Sequence, residues 1–417
     1  MKTWNGIVIV VLFAVISLSS IEATQPPQEP QPALEAMHPA HRALYFAVRR
    51  GTEWLIQAQQ PNGLFHQGYQ VAFNTPLEPA HYYHQAEAVV ALAKVSRLTA
   101  NPRYHACSQR AMLTLLASTK VDPQDGKIRY TAFPESIVNR LGSAGLLMRA
   151  VHEMPVPVEV RLKEADGLAQ FVKTMQSTSG LLDQAGSGVV QASASKLPEN
   201  TMRLHEALAL EGLAISMNYS PAPWKAEVLQ KAVKAYEQER KQLPMTSFPH
   251  FMTCFAETYF RTKDQACAVA VFNMADALCN VQRQAEAGKI AWAGGFCLEG
   301  NGSMVSPGTG ETARCVSALC DAYRVARQVG DQARIEKYRL AAAGGVQFIA
   351  AQQFTGSGVE HFAESYQTKV LGAFRSSPTE GVIRLQDTSE CVLAMATYLS
   401  DVCGVSLSPV QAPPIKP

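Results

Sequence analysis

Carboxylate side chains stand just before apolar runs at several places in the chain, in positions typical of the first turns of helices. Two carboxyl groups in different environments can act as a general acid and a general base. A pair that flanks a glycosidic bond can hydrolyse it, and the carboxyl separation then sets the stereochemical outcome. We therefore predict five catalytic candidates, namely Glu206, Glu311, Glu87, Glu390 and Asp387.

Each of these acids also has a purely structural interpretation. An acid in the first turn of a helix is favourable without any function. The run Asp-Thr-Ser-Glu at 387–390 is typical of a capping box, which would place Glu390 at the third helical position. Capping therefore explains each acid taken alone, and it explains four acids on converging helices less well.

Aromatic, histidine and arginine residues near the same positions are the candidates for binding a substrate. They are Tyr83, His84, His205, Arg375, Arg384 and Trp292. The tyrosine could stack on a sugar ring or simply pack between helices. The two arginines suit a carboxylate or sulfate group, and ordinary surface salt bridges would explain them equally well.

No cofactor or metal is predicted. His81 and His84 have a spacing found in metal sites, but no third ligand accompanies them. The glycine-rich loop after Trp292 lacks a phosphate-binding signature, and the chain has no Gly-x-Ser-x-Gly nucleophile motif. The loop is long and irregular, which is a property that functional loops often have.

Two kinds of helix alternate along the chain and would position these candidates. Those of the first kind end in a glutamine and a glycine turn, and we place them near 41–60, 104–119, 159–177, 223–242, 264–284 and 333–353. Those of the second kind follow each turn, near 84–98, 135–153, 201–217, 250–262, 309–328 and 387–402. The second and fourth of these offer Glu135 with Asn139, and His250.

The pairs make six helical hairpins, which predict an all-α fold, an (α/α)6 toroid or barrel with the second helices inside. An open helical solenoid is the alternative arrangement. In a closed ring the amino-terminal ends of the inner helices meet on one face, so the candidate acids would line a central cavity.

One motif recurs where the first kind of helix ends. In its first copy Trp54 precedes Gln59, Gly63 and Phe65, and weaker copies lie at 168–182 and 345–356. The motif resembles the QW repeat of the squalene cyclase, terpenoid cyclase and protein prenyltransferase superfamily, although Phe65 stands where that repeat usually has Trp. The resemblance implies an α/α toroid. It also implies that the glutamine bonds helix-end carbonyls and that Gly63, Gly180 and Gly356 form the turns.

The catalytic motifs of that superfamily are not found in this sequence. There is no Asp-x-Asp-Asp cluster, and 122–125 is not a substitute. Glu311 and Cys315 share a helix, but no histidine is placed to complete a zinc site. Carbohydrate-active α/α barrels share the general architecture, and their acids lie at inner-helix ends.

Composition limits the partners and the compartment. Net charge is +2 and charged residues make up 17%, which gives no basis for nucleic-acid binding. An apolar stretch at 6–18 behind Lys2 predicts a signal peptide over 1–23 and a secreted or periplasmic protein, or else an uncleaved anchor. A Pro/Gln-rich linker (24–36), the toroid (37–404) and a loose tail (405–417) follow, with no stable membrane span after signal removal.

Nine cysteines are predicted to be mostly buried free thiols, with one or two disulfides between Cys254 and Cys320 as the alternative. The oligomeric state stays open.

Three functions remain open at this point. The first is an exported glycan- or polysaccharide-processing enzyme, a glycoside hydrolase or polysaccharide lyase, acting in an acidic and aromatic cavity. The second, from the resemblance, is an isoprenoid-cyclase-like or prenyltransferase-like protein that binds an apolar ligand. The third is a non-catalytic toroid that serves as a scaffold or interaction protein.

Overall fold

The computed structural model describes residues 34–35, 37–78, 82–132, 139–154, 159–183, 199–298 and 305–405. The predicted signal peptide, nearly all of the linker and the tail beyond residue 405 lie outside the described residues, as do His81, Glu135 and 299–304 of the glycine-rich loop. Among the described residues, no helix is both long enough and apolar enough to span a bilayer.

Twelve long helices form the six predicted hairpins. The outer helices are α1 (Pro39–Ala58), α3 (Pro102–Ala117), α5 (Glu159–Thr174), α7 (Pro223–Glu239), α9 (Gln265–Val281) and α11 (Gln332–Ala351). The inner helices are α2 (Tyr82–Thr99), α4 (Arg140–Glu153), α6 (Glu199–Ser216), α8 (Phe248–Thr262), α10 (Thr309–Val329) and α14 (Leu385–Thr397). Helix α14 continues as a π-helical turn, Tyr398–Val402, and two short helices, α12 (Gly356–Val359) and α13 (Glu364–Val370), precede it.

The ring is closed. Each inner helix packs against the inner helices before and after it, and α14 packs against α2, so the last hairpin meets the first. The predicted (α/α)6 toroid is therefore confirmed. Small residues permit the closest approach: a Cβ at Gly145 on α4 would lie 2.1 Å from the carbonyl oxygen of Leu208 on α6. The two helix backbones touch there, and no larger residue fits.

Local sequence explains where the outer helices begin. The side chains of Asn101, Asp264 and Asp331 each accept a hydrogen bond from a backbone N–H in the first turn of the helix that follows. These connections from an inner to an outer helix are short. The connections from an outer to an inner helix are long, and they carry all the described strands.

The glutamine motif forms a contact that we call the clasp. Gln59 Nε2 donates to the carbonyl of Gly63 in its own turn and to that of Cys107 on the next outer helix, both at 3.0 Å. Gln176, Gln282 and Gln353 make the same pair of bonds. The second acceptor of Gln353 is Ala47 on α1, so this clasp joins the two ends of the ring.

Two details of the predicted motif were wrong, and a further copy was found. The glutamine amide bonds the turn glycine and the neighbouring outer helix, whereas we expected carbonyls at the end of a helix. The turn glycine of the Gln353 copy is Gly372, at φ 90°, because a long insertion carrying α12 and α13 separates glutamine from turn; Gly356 begins α12. The copy at Gln282 is complete, with Phe296 as its apolar residue.

Short strands tie the first and sixth hairpins together. Strands β1 (Gly68–Gln70), β2 (Thr75–Pro76), β5 (Arg375–Ser377) and β6 (Glu380–Arg384) form one antiparallel sheet in the order β2-β1-β6-β5. A second pair, β3 (Thr119–Val121) and β4 (Arg129–Thr131), lies before α4.

All nine cysteines are free thiols, and seven of them are buried. This favours the prediction of mostly buried free thiols over the alternative of one or two disulfides.

Candidate functional site

A cavity of ≈ 100 Å³ lies inside the ring, since its walls come from all six inner helices and the π-helical turn that extends α14. Eighteen described residues line it, and only Ile215, Pro249 and Leu393 among them are apolar. The others are polar or ionisable, and none of the described lining residues is Phe, Tyr or Trp. The cavity therefore suits a small polar ligand.

Two glutamates from neighbouring inner helices share a hydrogen bond at one wall. Glu87 on α2 lies next to Glu390 on α14, within reach of a hydrogen bond between the two carboxyls. Burial, and then the charge of Glu390, raise the pKa of Glu87 well above its ordinary value. Glu390 lines the cavity, and Arg314 Nη1 lies 3.9 Å from its Oε1. The pair is thus buried beside a fixed cation.

A histidine on another wall is held by a buried carboxylate. His250 Nδ1 lies 2.7 Å from Glu211 Oε2, and Arg149 pairs with the other oxygen of Glu211. Burial raises the pKa of Glu211, but Arg149 and His250 outweigh it and leave the pKa below its ordinary value. Because an ionised carboxylate only accepts, Nδ1 carries the hydrogen of this bond.

The end of the cavity formed by the carboxyl-terminal halves of the helices carries a denser charge network. Arg324 Nη1 lies 3.0 Å from Asp321 and 3.2 Å from Glu257, and its Nε lies 3.9 Å from Asp401. Burial first, and then the neighbouring carboxylates against the opposing effect of Arg324, raise the pKa of Asp321 to about 6. Lys94 Nζ lies 3.7 Å from Asp401.

The predicted catalytic residues divide into two groups. Glu87 and Glu390 meet at the cavity. Glu206 does not line the cavity; Arg203 on the same helix and Tyr236 on the outer helix α7 bond its Oε2 at 3.0 and 2.9 Å. Glu311 lies in the first turn of α10, half-buried, and its charge acts on nearby Arg314.

Asp387 lies between α10 and α14, near Gly310, with Arg384 3.6 Å away. Burial raises its pKa to about 6. The predicted capping box does not form, because α14 begins at Leu385 and Glu390 is its sixth residue. Extra helical residues ahead of Asp387 move Glu390 out of the first turn and onto the cavity wall.

The predicted binding residues also form two groups, one beside Glu87 and one elsewhere in the structure. The ring of Tyr83 lies 4.0 Å from that of His84 and 6.4 Å from that of His205, so these three form one cluster beside Glu87. Burial lowers the pKa of His205 to about 4. None of the three lines the described cavity.

The other three lie apart from this cluster. Arg375 covers the ring of Phe354 at 5.2 Å. Arg384 pairs with Asp387 and, at 3.9 Å, with Glu380. Trp292 is half-buried in a 3-10 turn, with Lys289 over its ring.

Sequence analysis missed most of the cavity wall. Arg149, Glu211, Arg314 and Asp321 were not predicted, and His250 was noted without a role. A signal was present, since Arg149, Glu211 and Asp321 each interrupt an otherwise apolar stretch of an inner helix. A charge in the middle of a helix that is buried on all sides must face a partner or a cavity.

Comparisons with known proteins agree with the fold. No protein-family model matches the chain, and no curated protein matches it. Solved structures do match, among them an unsaturated glucuronyl hydrolase specific for heparin, with 12% identity, 88% of this chain and 99% of that chain covered, and a TM-score of 0.61. A D-mannose isomerase shares 11% identity over 87% and 98% of the two chains, at a TM-score of 0.62.

The α-1,6-mannanase of Salegentibacter sp. HEL1_6 shares 11% identity over 85% and 98%, at a TM-score of 0.58. At such identities the likeness shows the fold alone. These neighbours are carbohydrate-active α/α-toroid enzymes, so the toroid implied by the QW-like repeat is confirmed. The finer assignment to the terpenoid cyclases gains no support from them.

Proposed function

We propose that this protein is a saccharide-processing enzyme that works by general acid–base catalysis in its central cavity. The observation that carries the proposal is the hydrogen-bonded pair of Glu87 and Glu390 beside Arg314 at the wall of a charged cavity. A carboxyl that keeps its proton near neutral pH can serve as a general acid. Glu390 places this pair at the cavity wall.

The polar wall supports a saccharide over an apolar ligand. Sugar hydroxyls can bond the carboxylates, arginines and histidine of the wall, whereas an isoprenoid would leave these groups desolvated and unpaired. The carbohydrate-active neighbours agree with this choice. The cluster of Tyr83, His84 and His205 is a proposed second layer of binding residues next to Glu87.

The same wall supports an enzyme over a scaffold. Buried ion pairs are often replaceable by apolar residues of similar volume with no loss of stability. A ring whose only task is to hold its shape has no need of eleven ionisable side chains around an internal cavity. We take their presence as support for chemistry at this site.

The experiment pairs two variants with a control. Wild-type protein is tested against monosaccharides, uronates and oligosaccharides, with binding followed by calorimetry and turnover by proton NMR and reducing-end release. Glu87→Gln and Glu390→Gln should each lower turnover by about 10²–10⁴-fold, while circular dichroism shows that both variants remain folded. The control is Glu360→Gln, at an exposed position, which should behave as wild type. Full activity in both cavity variants, or no saccharide bound by wild type, would exclude the proposal.

The compartment is proposed from the sequence. The apolar stretch at 6–18 behind Lys2, followed by small residues near Ala23, supports export with removal of 1–23. Amino-terminal sequencing of the protein recovered from culture medium or periplasm should begin near residue 24. A mature chain that still begins at Met1 would contradict removal.

A further inference from the structure

A histidine on the cavity wall is held in place by side chains from two other inner helices. Nδ1 of His250 on α8 lies 2.7 Å from Oε2 of Glu211 on α6, and Arg149 on α4 pairs with the other oxygen of Glu211. All three side chains line the cavity. Glu211 is 2% exposed, so solvent hardly competes for its two contacts. The contacts therefore fix the orientation of the imidazole ring.

This orientation leaves one ring nitrogen of His250 for a ligand. Nδ1 carries the hydrogen that Glu211 accepts, and Nε2 bonds no described residue. The two nitrogens point away from different edges of the ring, and the ring lines the cavity. A hydroxyl group bound in the cavity can therefore contact Nε2 while the bond to Glu211 stays in place.

Another buried histidine of the inner helices lacks this arrangement. His152 on α4 is 1% exposed, its ring nitrogens bond no described residue, and its ring stacks on that of Tyr219 at 5.6 Å. Burial lowers the pKa of His152 to about 4, so its ring stays neutral. It is not among the residues that line the described cavity. His250 differs from this packing histidine both in its carboxylate partner and in its place on the cavity wall.

The carboxylate partner suits a group that takes up a proton. When Nε2 gains a proton the ring becomes positively charged, and an ionised carboxylate on Nδ1 stabilises that charge. Arg149 keeps Glu211 ionised, because removing the proton from Glu211 leaves a carboxylate that the guanidinium attracts. Arg149 and Glu211 thus act on a ligand only through His250.

Resting on the proposed function, we infer that His250 is a catalytic base of the cavity and that Arg149 and Glu211 are positioning residues. Nε2 takes the proton of the hydroxyl group that reacts. The O–H bond breaks, and its electron pair enters the new bond that this oxygen forms. The oxygen that leaves takes a proton from the carboxyl of Glu390. The imidazolium then releases its proton to solvent and Glu390 regains one, so no redox co-reactant is consumed.

The first test is kinetic and uses a saccharide that wild type converts. His250→Asn should lower kcat by at least about 10²-fold and leave KM within about threefold of wild type. In His250→Ala, added imidazole should raise the remaining rate by at least about 10-fold, because the free base can take the proton in its place. His152→Asn is the matched control and should keep the kcat of wild type. Circular dichroism checks that the variants are folded.

The second test needs no substrate. The ¹⁵N NMR signals of the His250 ring, assigned by their loss in His250→Asn, should show hydrogen on Nδ1 and, at alkaline pH, none on Nε2. In Glu211→Gln the new amide can donate to Nδ1, so the signals should move toward the tautomer with hydrogen on Nε2. The same variant should lower kcat by at least about 10-fold at an unchanged KM.

The outcomes separate this inference from the proposed function. Hydrogen on Nε2 alone in wild type would overturn the inference whatever the activity. Turnover that is lost in Glu390→Gln but kept in His250→Asn would overturn it and leave the proposed function standing. A wild type that converts no saccharide overturns the proposed function and the inference with it.

Discussion

The outer and inner surfaces of the same hairpins are held together in opposite ways. Outside, the four clasps at Gln59, Gln176, Gln282 and Gln353 are uncharged, and each makes the same two bonds to backbone carbonyls. Inside, the contacts around the cavity are charged, and no two hairpins contribute the same set. Each clasp therefore joins two neighbouring outer helices in the same way, whereas each wall of the cavity carries its own set of charged side chains.

The two kinds of contact should also fail differently. A clasp supplies donors to carbonyls at partly or fully buried positions, so breaking it leaves those carbonyls with one hydrogen bond fewer. An inner ion pair holds two buried charges that stabilise each other, so removing one charge costs more than removing both. This difference can be measured on single substitutions.

The largest effect on stability is expected from Arg149→Met. Glu211 is 2% exposed and would keep an uncompensated charge, so the free energy of unfolding should fall by about 3–5 kcal/mol at pH 7. Burial then dominates and lifts the folded-state pKa of Glu211 above its unfolded value. In the variant, the contribution of Glu211 to stability is present below its unfolded pKa and is lost as pH rises through its folded pKa. The loss of stability relative to wild type should therefore be smaller at pH 4 than at pH 7. Urea titrations at both pH values measure it.

The double variant Arg149→Met with Glu211→Met is the control for that prediction. With both charges gone, most of the lost free energy should return, because apolar pairs often replace buried ion pairs without loss. A double variant as unstable as the single one would mean that packing, rather than charge, holds this wall.

The difference between the two surfaces also explains what could be predicted from the sequence. Helix periodicity and the glutamine spacing predicted all six hairpins, because a repeated local motif carries its own signal, and the number six favoured ring closure over an open solenoid. Gly372 was missed, since an insertion places it 19 residues after Gln353. The sequence could not predict which side chains meet at the cavity wall. Glu211 and His250 are 39 residues apart, and their contact depends on how far their two helices are shifted along each other.

The next largest effect is expected at the clasp that closes the ring. Gln353→Ala removes the side-chain donor to the carbonyl of Gly372, at about 1–3 kcal/mol, and the second donor to the carbonyl of Ala47, which lies inside α1. It also removes the acceptor of Arg50. We expect the free energy of unfolding to fall by about 2–4 kcal/mol, with sugar binding unchanged. Chemical denaturation measures the first and calorimetry the second.

The adjacent glutamine offers a matched control. Gln352 is equally buried, but its amide bonds only Phe348 within its own helix. Gln352→Ala should therefore cost about 1 kcal/mol. Equal losses at 352 and 353 would mean that ring closure does not depend on the clasp.

A smaller effect, visible as a pH dependence, is expected from Asp321→Asn at the far end of the cavity. The raised pKa of Asp321, about 6 against 3.8 in an ordinary aspartate, means that its native state holds a proton that the unfolded chain has lost. Wild-type stability from this group is thus complete below pH 3.8 and lost as pH rises through about 6. At 1.36 kcal/mol per pKa unit the variant should gain up to about 3 kcal/mol on wild type between pH 4 and pH 8.

Paired denaturation curves at the two pH values give this difference, and Glu360→Gln should show none. A difference of the opposite sign would mean that Arg324 stabilises the ionised form more than burial opposes it.

The smallest effect is expected inside one clasp, at Phe65. Leu182 fills the equivalent place in the Gln176 clasp, so the site geometry accepts a leucine. The backbone bonds of Phe65 with Gln85 do not depend on its side chain. Phe65→Leu should lower the free energy of unfolding by about 1 kcal/mol.

Phe65→Trp introduces the residue that is usual in the QW repeat. It should lower the free energy of unfolding by about 1–3 kcal/mol, because the Phe65 side chain is 2% exposed and leaves no space for a larger ring. A tryptophan variant at least as stable as wild type would show that the packing around residue 65 has space for the larger ring.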